Sequence, residues 1–284
     1  MGFTLNSSGD GTILRPSLVP PPSDAHKYSR GHAMVWSGPV LHTGASRLSA
    51  QAALAVGAGL VTLVGERARL AEQAANVTAI MLRETDMSLA CVDDRVTAFA
   101  IGPGAGAGVR QAVLNILSRN VPTIIDADAL TAFEGDPATL FGATGPTDVM
   151  TPHIGEFRRL FADIATDNPA DAARRAADRA QCVVLLKGSE TWVASPDGRT
   201  LVNRHASPWL ATAGSGDVLT GLICGLVAQG VTAFDAASMA AWLHGDIGVQ
   251  GGPGLTADNM IGHIPLVLRG CLHDASAHGS GSRT

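Results

Sequence analysis

The segment Ala211-Thr212-Ala213-Gly214-Ser215-Gly216-Asp217-Val218-Leu219-Thr220-Gly221 carries the strongest chemical signal in the chain. A glycine pair lets the backbone approach a ligand and turn its N–H groups inward, and the helix that follows adds its positive end. Gly214, Ser215 and Gly216 would then form an anion hole suited to a transferring phosphoryl group. Asp217, in the first helical turn, could take the proton of an attacking hydroxyl. The plainer reading is that aspartate is simply favoured in a first turn and Gly-Ser is an ordinary loop.

Four further segments carry chemistry. Ile101-Gly102-Pro103-Gly104-Ala105-Gly106-Ala107-Gly108 follows an apolar strand and loosely fits the dinucleotide fingerprint, with Asp126 at a distance suited to a ribose. Against that reading, Pro103 removes an N–H from the turn and the strand is not the first of the fold. In Thr151-Pro152-His153-Ile154-Gly155-Glu156, His153 opens a helix and could be catalytic or a cap, with Glu156 favouring the helix N-terminus. Lys187 ends an apolar strand in a chain whose only other lysine is Lys27, which suggests a phosphate contact or a lysine reaching back to water. Asp126 and Asp128, at another strand end, could touch a ribose or Mg²⁺ through water, or Asp128 could cap a helix. No residue is put forward as a firm metal ligand. A Walker-type P-loop, H-E-x-x-H and G-x-S-x-G are all missing, so any ATP or ADP is handled without a Walker loop.

The elements that must position these groups alternate. Apolar runs at Ala33–Ser37, Leu60–Val64, Thr78–Met81, Val96–Ile101, Thr123–Asp126, Val149–Thr151 and Cys182–Lys187 read as strands. Helical patterns at Ala45–Val56, Val109–Leu117, Gly155–Phe161 and Ala170–Ala180 fill most gaps. This order predicts an α/β fold with a mostly parallel central sheet covered by helices on both faces, and ligands at the carboxyl ends of its strands. Thr191–Ala194 and Thr200–Asn203 flank Ser195-Pro196-Asp197-Gly198 as a hairpin. Helices at Gly216–Ala228, Phe234–Val249 and His263–Leu272 follow.

Bulk properties narrow the classes. With 284 residues, 46% hydrophobic and 16% charged, the chain fits one large domain, assigned to residues 24–273. Residues 1–23 are expected as a flexible arm and 274–284 as a flexible tail. A net charge of -5 argues against a nucleic-acid surface. No apolar stretch reaches the roughly 20 residues of a membrane span. The N-terminal residues show no charged region followed by an apolar run, so no signal peptide is expected, and the four scattered cysteines suit a reducing compartment; a cytoplasmic location is expected.

Taken in order along about 26–268, these segments resemble the ADP/ATP-dependent NAD(P)H-hydrate dehydratases, repair enzymes with a ribokinase-like fold. The resemblance begins at His26-Lys27-Tyr28-Ser29-Arg30-Gly31 and Thr43-Gly44-Ala45. It runs through the Gly102, Asp126, His153 and Lys187 segments to Ala211–Gly221 and Leu255-Thr256-Ala257-Asp258. It implies dehydration of S-NADH or S-NADPH hydrate, coupled to ADP or ATP with Mg²⁺, by phosphorylation of the ring hydroxyl and loss of phosphate. By that resemblance Ala45, Gly104, Gly106 and His153 line the hydrate site together with Asp217, which is the base. Lys187, Gly188, Ser189, Glu190, Thr191 and Gly216 hold the nucleotide. His42 stands where the family has Tyr, Tyr28 where it has Gly, and Ser215 where it often has Thr. A homo-oligomer and a separate epimerase are also expected. The alternatives are a small-molecule kinase of the same fold, an NAD(P) oxidoreductase and a non-catalytic binding module.

Overall fold

The computed structural model describes residues 2–272. Its strands are β1 (Gly2–Ser7), β2 (Ile13–Val19), β3 (His32–Trp36), β4 (Leu60–Gly65), β5 (Met81–Glu84), β6 (Ala98–Ile101), β7 (Thr123–Ile125), β8 (Val149–Met150), β9 (Val183–Leu186), β10 (Thr191–Ala194) and β11 (Thr200–Asn203). Its helices are α1 (Gly44–Ala55), α2 (Arg67–Ala74), α3 (Arg110–Leu117), α4 (Asp128–Thr131), α5 (Pro137–Phe141), α6 (Ile154–Leu160), α7 (Pro169–Ala180), α8 (Ser215–Ala228), α9 (Ala233–Gly251) and α10 (Ala257–Gly270).

Nine strands form one sheet in the order β11-β10-β9-β8-β7-β6-β3-β4-β5. Every pairing from β9 to β5 is parallel, and β10 alone runs against the rest, antiparallel to both β9 and β11. Both faces are apolar and covered, as parallel sheets require. Successive side chains alternate between the faces: Ala33 and Val35 join the core beneath α1, α8, α9 and α10, while Met34 and Trp36 join the core beneath α3 to α7. The chain order reverses between β3 and β6, which opens a crevice at the carboxyl ends of β3, β6 and β7.

Helices α1 and α8 pack unusually close. A side chain on Gly221 would lie 2.2 Å from the Ser49 carbonyl, and one on Gly225 would lie 2.4 Å from Val56. That approach carries the N-terminal turn of α8 to the mouth of the crevice.

The expected flexible arm is a correction. Residues 2–19 form a bulged antiparallel hairpin whose β2 packs on α9 and buries Ile13 and Leu18. The Gly11 carbonyl accepts from Val202 N–H at 2.9 Å, tying the hairpin to the sheet edge. The Gly, Ser and Pro content of this segment masks the alternation of Phe3 and Leu5 in β1 and the irregularly spaced buried residues Ile13, Pro16 and Leu18 in β2. The tail expected at 274–284 lies outside the described residues. The strand expected at 78–81 forms slightly later, as edge strand β5. Among the described residues no helix is long and apolar enough to cross a membrane. The four cysteines are free thiols.

Candidate active site

Gly214 has φ 87°, and a side chain there would meet Ala257 and Leu48 at 2.7 and 2.8 Å, so the turn into α8 needs glycine on both counts. Of the first N–H groups of α8, Ser215 reaches Thr212 O at 3.3 Å and Val218 reaches Gly214 O at 3.1 Å. Those of Gly216 and Asp217 have no partner among the described residues. Two free donors at a helix N-terminus make an anion site.

Lys187 lies beside that turn. A Cβ on Gly216 would be 3.6 Å from Lys187 Nζ and 4.0 Å from Asp126 Oδ2. The Lys187 ammonium donates to Asp126 Oδ1 at 2.8 Å, and the Thr220 hydroxyl donates to Asp126 Oδ2 at 2.7 Å. Asp126 also accepts from Ala127 N–H at 2.9 Å and is buried. Both its oxygens are thus engaged inside the protein. These bonds give it a role in holding Lys187. Ala127 itself sits at φ 47° and ψ -119°, a conformation strained for an L side chain, between the two aspartates.

Asp217 is the titratable centre. Burial, helped by the negative charges of Asp126 and Asp128 and opposed by Lys187, raises its carboxyl to about 6. A carboxylate so placed is a base poised near physiological pH. Its backbone is anchored by Ser49, whose hydroxyl donates to the Asp217 carbonyl at 2.8 Å and lies 3.3 Å from that of Ala45. Ala45 therefore stands on the α1 side of Asp217. A side chain on Gly104 would come within 3.1 Å of the Ala45 methyl, and Gly106 N–H donates to Asp128 Oδ2 at 2.8 Å. Gly102 answers to packing: at φ 126° its missing side chain makes room for the Asp126 carbonyl.

On the opposite side of the α8 turn lies a cavity of about 890 Å³. Lys187, Gly188, Ser189, Thr191, Ser215 and Gly216 all line it, joined by His153 and by an apolar wall that includes Leu210, Leu219 and Ala241. Glu190 does not line it; its carboxylate pairs with Arg204 at 2.9 Å. His153 caps α6, its Nδ1 accepting from Gly155 N–H at 2.9 Å and Glu156 N–H at 3.2 Å, while Glu156 returns a bond to His153 N–H at 2.8 Å. The capping alternative is realised, and His153 lines the cavity beside Lys187. Three participants went unnoticed in the sequence. Thr220 was findable, three residues after Asp217 and so on the same helical face. Ser49 and His244 give no local signal. Among the described residues no group of three or more His, Cys, Asp or Glu is placed to hold a metal.

This strand order, with an anion-binding helix end and a carboxylate in its first turn, defines a ribokinase-like protein. A ribokinase-like superfamily protein of Enterococcus faecalis superposes with a TM-score of 0.77 at 24% identity, covering 89% of this chain and 92% of that one. The family model for NAD(P)H-hydrate dehydratase matches residues 33–277, and the chain belongs to that family. The bifunctional NAD(P)H-hydrate repair enzyme of Synechocystis is 40% identical over 241 residues, covering 80% of this chain and 46% of the relative. That of Moorella thermoacetica is 38% identical over 270 residues, covering 87% and 51%. The chain thus spans about half the length of the curated relatives it matches. The ADP/ATP-dependent NAD(P)H-hydrate dehydratase of Bacillus subtilis, co-crystallised with ATP and Mg²⁺, has a TM-score of 0.77 at 26% identity, covering 90% of this chain and 95% of that one.

Proposed function

We propose that this protein dehydrates S-NAD(P)H hydrate at the expense of ADP or ATP. The observation that carries the reading is the α8 turn: two unpartnered N–H groups, the Lys187 ammonium and the raised Asp217 carboxyl converge on one point. The adenine nucleotide occupies the cavity between Lys187–Thr191 and the 203–212 loop, with its terminal phosphate on Gly216 and Lys187. The hydrate ring sits on the other side, against Ala45, Gly104 and Gly106, small residues that let a flat ligand approach. His153 meets the ligands from the Lys187 side.

Asp217 accepts the proton of the ring hydroxyl as its oxygen attacks the terminal phosphorus. A phosphate ester forms and the nucleotide departs one phosphate shorter. The N–H groups of Gly216 and Asp217 meet the charge that develops on the phosphoryl oxygens. The C–O bond then breaks with phosphate leaving, and loss of a proton from the neighbouring carbon restores the ring double bond. A magnesium ion would come with the nucleotide phosphates, and Asp126 and Asp128 are the carboxylates that could hold it through water. Such an ion would neutralise phosphate charge. These substrates put the protein in the cytoplasm, where both nucleotide pools lie.

The test is an absorbance assay of protein with NADH hydrate, Mg²⁺ and either ADP or ATP. Nucleotide-dependent return of the reduced-nicotinamide band is expected, and the active nucleotide names the donor. No recovery from protein that binds nucleotide, with a stable phosphorylated alcohol in a substrate screen, would instead make it a small-molecule kinase.

A further inference from the structure

We propose that His244 is a positioning residue for the phosphoryl-binding turn, fixing Ser215 so that its hydroxyl proton is free for the nucleotide phosphate. This rests on reading the α8 N-terminus as the phosphoryl site. His244 lies on α9 beside the buried apolar residues Ala240, Ala241, Leu243 and Ile247. An imidazole there needs a reason, because a polar ring among apolar neighbours costs free energy unless it is hydrogen-bonded.

Its only partner among the described residues is Ser215. His244 Nε2 lies 3.0 Å from the Ser215 carbonyl oxygen and 3.0 Å from Ser215 Oγ. A carbonyl oxygen can only accept, so Nε2 carries the hydrogen. Burial, with Lys187 adding to it, pushes the imidazole down to about 4, so at neutral pH the ring is uncharged and Nε2–H is its one donor. That hydrogen serves the carbonyl and leaves no lone pair on Nε2 for the Ser215 hydroxyl to donate to. The hydroxyl oxygen can accept from Nε2–H, but its own proton must go elsewhere. Ser215 has no other side-chain partner among the described residues, and both Ser215 and His244 line the 890 Å³ cavity. The Ser215 hydroxyl, the free N–H groups of Gly216 and Asp217, and Lys187 Nζ then form one donor set around the phosphate.

The contact also fixes backbone. The Ser215 carbonyl belongs to the first residue of α8, so a bond from α9 sets the rotation of the peptide that presents the Gly216 N–H. Gly245, the next residue, admits the His205 carbonyl at a distance no side chain would allow, which seats α9 against the 203–212 wall of the same cavity. His244 thereby ties the nucleotide wall to the phosphoryl turn.

The experiment compares His244→Leu, His244→Gln and Ser215→Ala with wild type, measuring ADP and ATP binding by calorimetry, kcat, and KM for NADH hydrate. Leucine fills the space without a donor, whereas glutamine can still donate an amide N–H to the Ser215 carbonyl. His244→Leu is expected to lower kcat and nucleotide affinity by roughly tenfold, the size of one lost charge-assisted hydrogen bond. KM for the hydrate should hold. His244→Gln should recover most of the loss, and Ser215→Ala should match His244→Leu, with the double variant losing less than the product of the two. Equal losses in His244→Leu and His244→Gln, or additive losses in the double variant, would overturn the role. So would a fall in melting temperature with kcat retained. Should His244→Leu fail to fold, Ser215→Ala decides the matter: unchanged nucleotide affinity there defeats the proposal. Wild-type protein that binds no nucleotide would defeat the functional reading itself, whereas normal wild-type turnover with silent variants defeats only this inference.

Discussion

The Lys187 ammonium is held by Asp126 at 2.8 Å, and Asp126 is in turn held by the Thr220 hydroxyl at 2.7 Å, one turn beyond Asp217 on the same helix. The lysine at the end of β9, the aspartate at the end of β7 and the first turns of α8 are thereby one hydrogen-bonded unit. Asp126 is buried and Lys187 is mostly so, so neither charge could stay unpaired without large cost. The pair places a positive charge at the phosphoryl site before any nucleotide arrives.

Lys187→Ala removes that charge from the cavity and strands Asp126. Nucleotide affinity is expected to fall at least about tenfold, while hydrate binding changes less, because Lys187 lines the nucleotide cavity and not the Ala45 side. Separate calorimetric titrations with nucleotide and with hydrate measure this. Equal losses for both ligands would refute the division of the site.

Asp217→Asn keeps the shape of the first turn and removes the base. Turnover should drop at least about 10²-fold with nucleotide affinity intact, the low end for losing a general base. Near-normal kcat in single-turnover measurements would remove Asp217 from the mechanism.

The raised Asp217 carboxyl sets a pH dependence whose sign is fixed. The base must be ionised, so kcat/KM should rise with pH and level off above about 6. Since Lys187 draws that value down, the acid limb of Lys187→Ala should move to higher pH. Stability runs the other way for this group. Its folded value of about 6 exceeds the ordinary 3.8, so the folded state binds the extra proton between the two, and the group's contribution falls as pH rises across that window. Asp217→Asn, relieved of a buried charge, should therefore be more stable to unfolding than wild type at neutral pH, by on the order of 2 kcal/mol, with the gap closing below about pH 4. A wild-type acid limb centred near 4 would contradict the raised value.

The parallel sheet was legible because its strands are short continuous apolar runs, and both arms of the β10–β11 hairpin fall where the turn Ser195-Pro196-Asp197-Gly198 predicts. The α8 turn was legible because Gly214 and Asp217 act locally. What escaped acts at long range. Helix α2 gave no signal because the face it buries includes Arg69 and Gln73, polar groups bonded to Ser37, Thr43 and Ser46 across the fold. The Ser49–Asp217 and Ser215–His244 bonds span separations of 168 and 29 residues, and no local pattern encodes either. His153 shows the converse case, where the spacing to Glu156 did foretell the capping box that formed. For Gly102 the fingerprint suggested a ligand and the cause was the Asp126 carbonyl, because a glycine needed for packing and one needed for a phosphate look the same in sequence.

Gly221 tests whether the α1–α8 approach positions the base. It lies one turn past Asp217, and a methyl group there would come within 2.2 Å of the Ser49 carbonyl and 2.7 Å of the Ala52 methyl. Neither helix can absorb that contact without moving, because the Ser49 carbonyl is backbone and Ala52 is fully buried. Gly221→Ala should gain slightly in helix propensity yet lose about 1–3 kcal/mol to overpacking. The displacement would also stretch the Ser49 hydroxyl bond to the Asp217 carbonyl, so kcat should fall in protein that remains folded, while nucleotide affinity, governed by Lys187 and the cavity, changes less. Gly262 is the control: it lies on α10, and a side chain there meets nothing within 4 Å. Gly262→Ala should leave kcat unchanged and stability unchanged or slightly raised. Thermal melts paired with kcat on both variants separate the two cases, and a Gly221→Ala protein with wild-type stability and turnover would show that the close helix contact does not hold Asp217 in place.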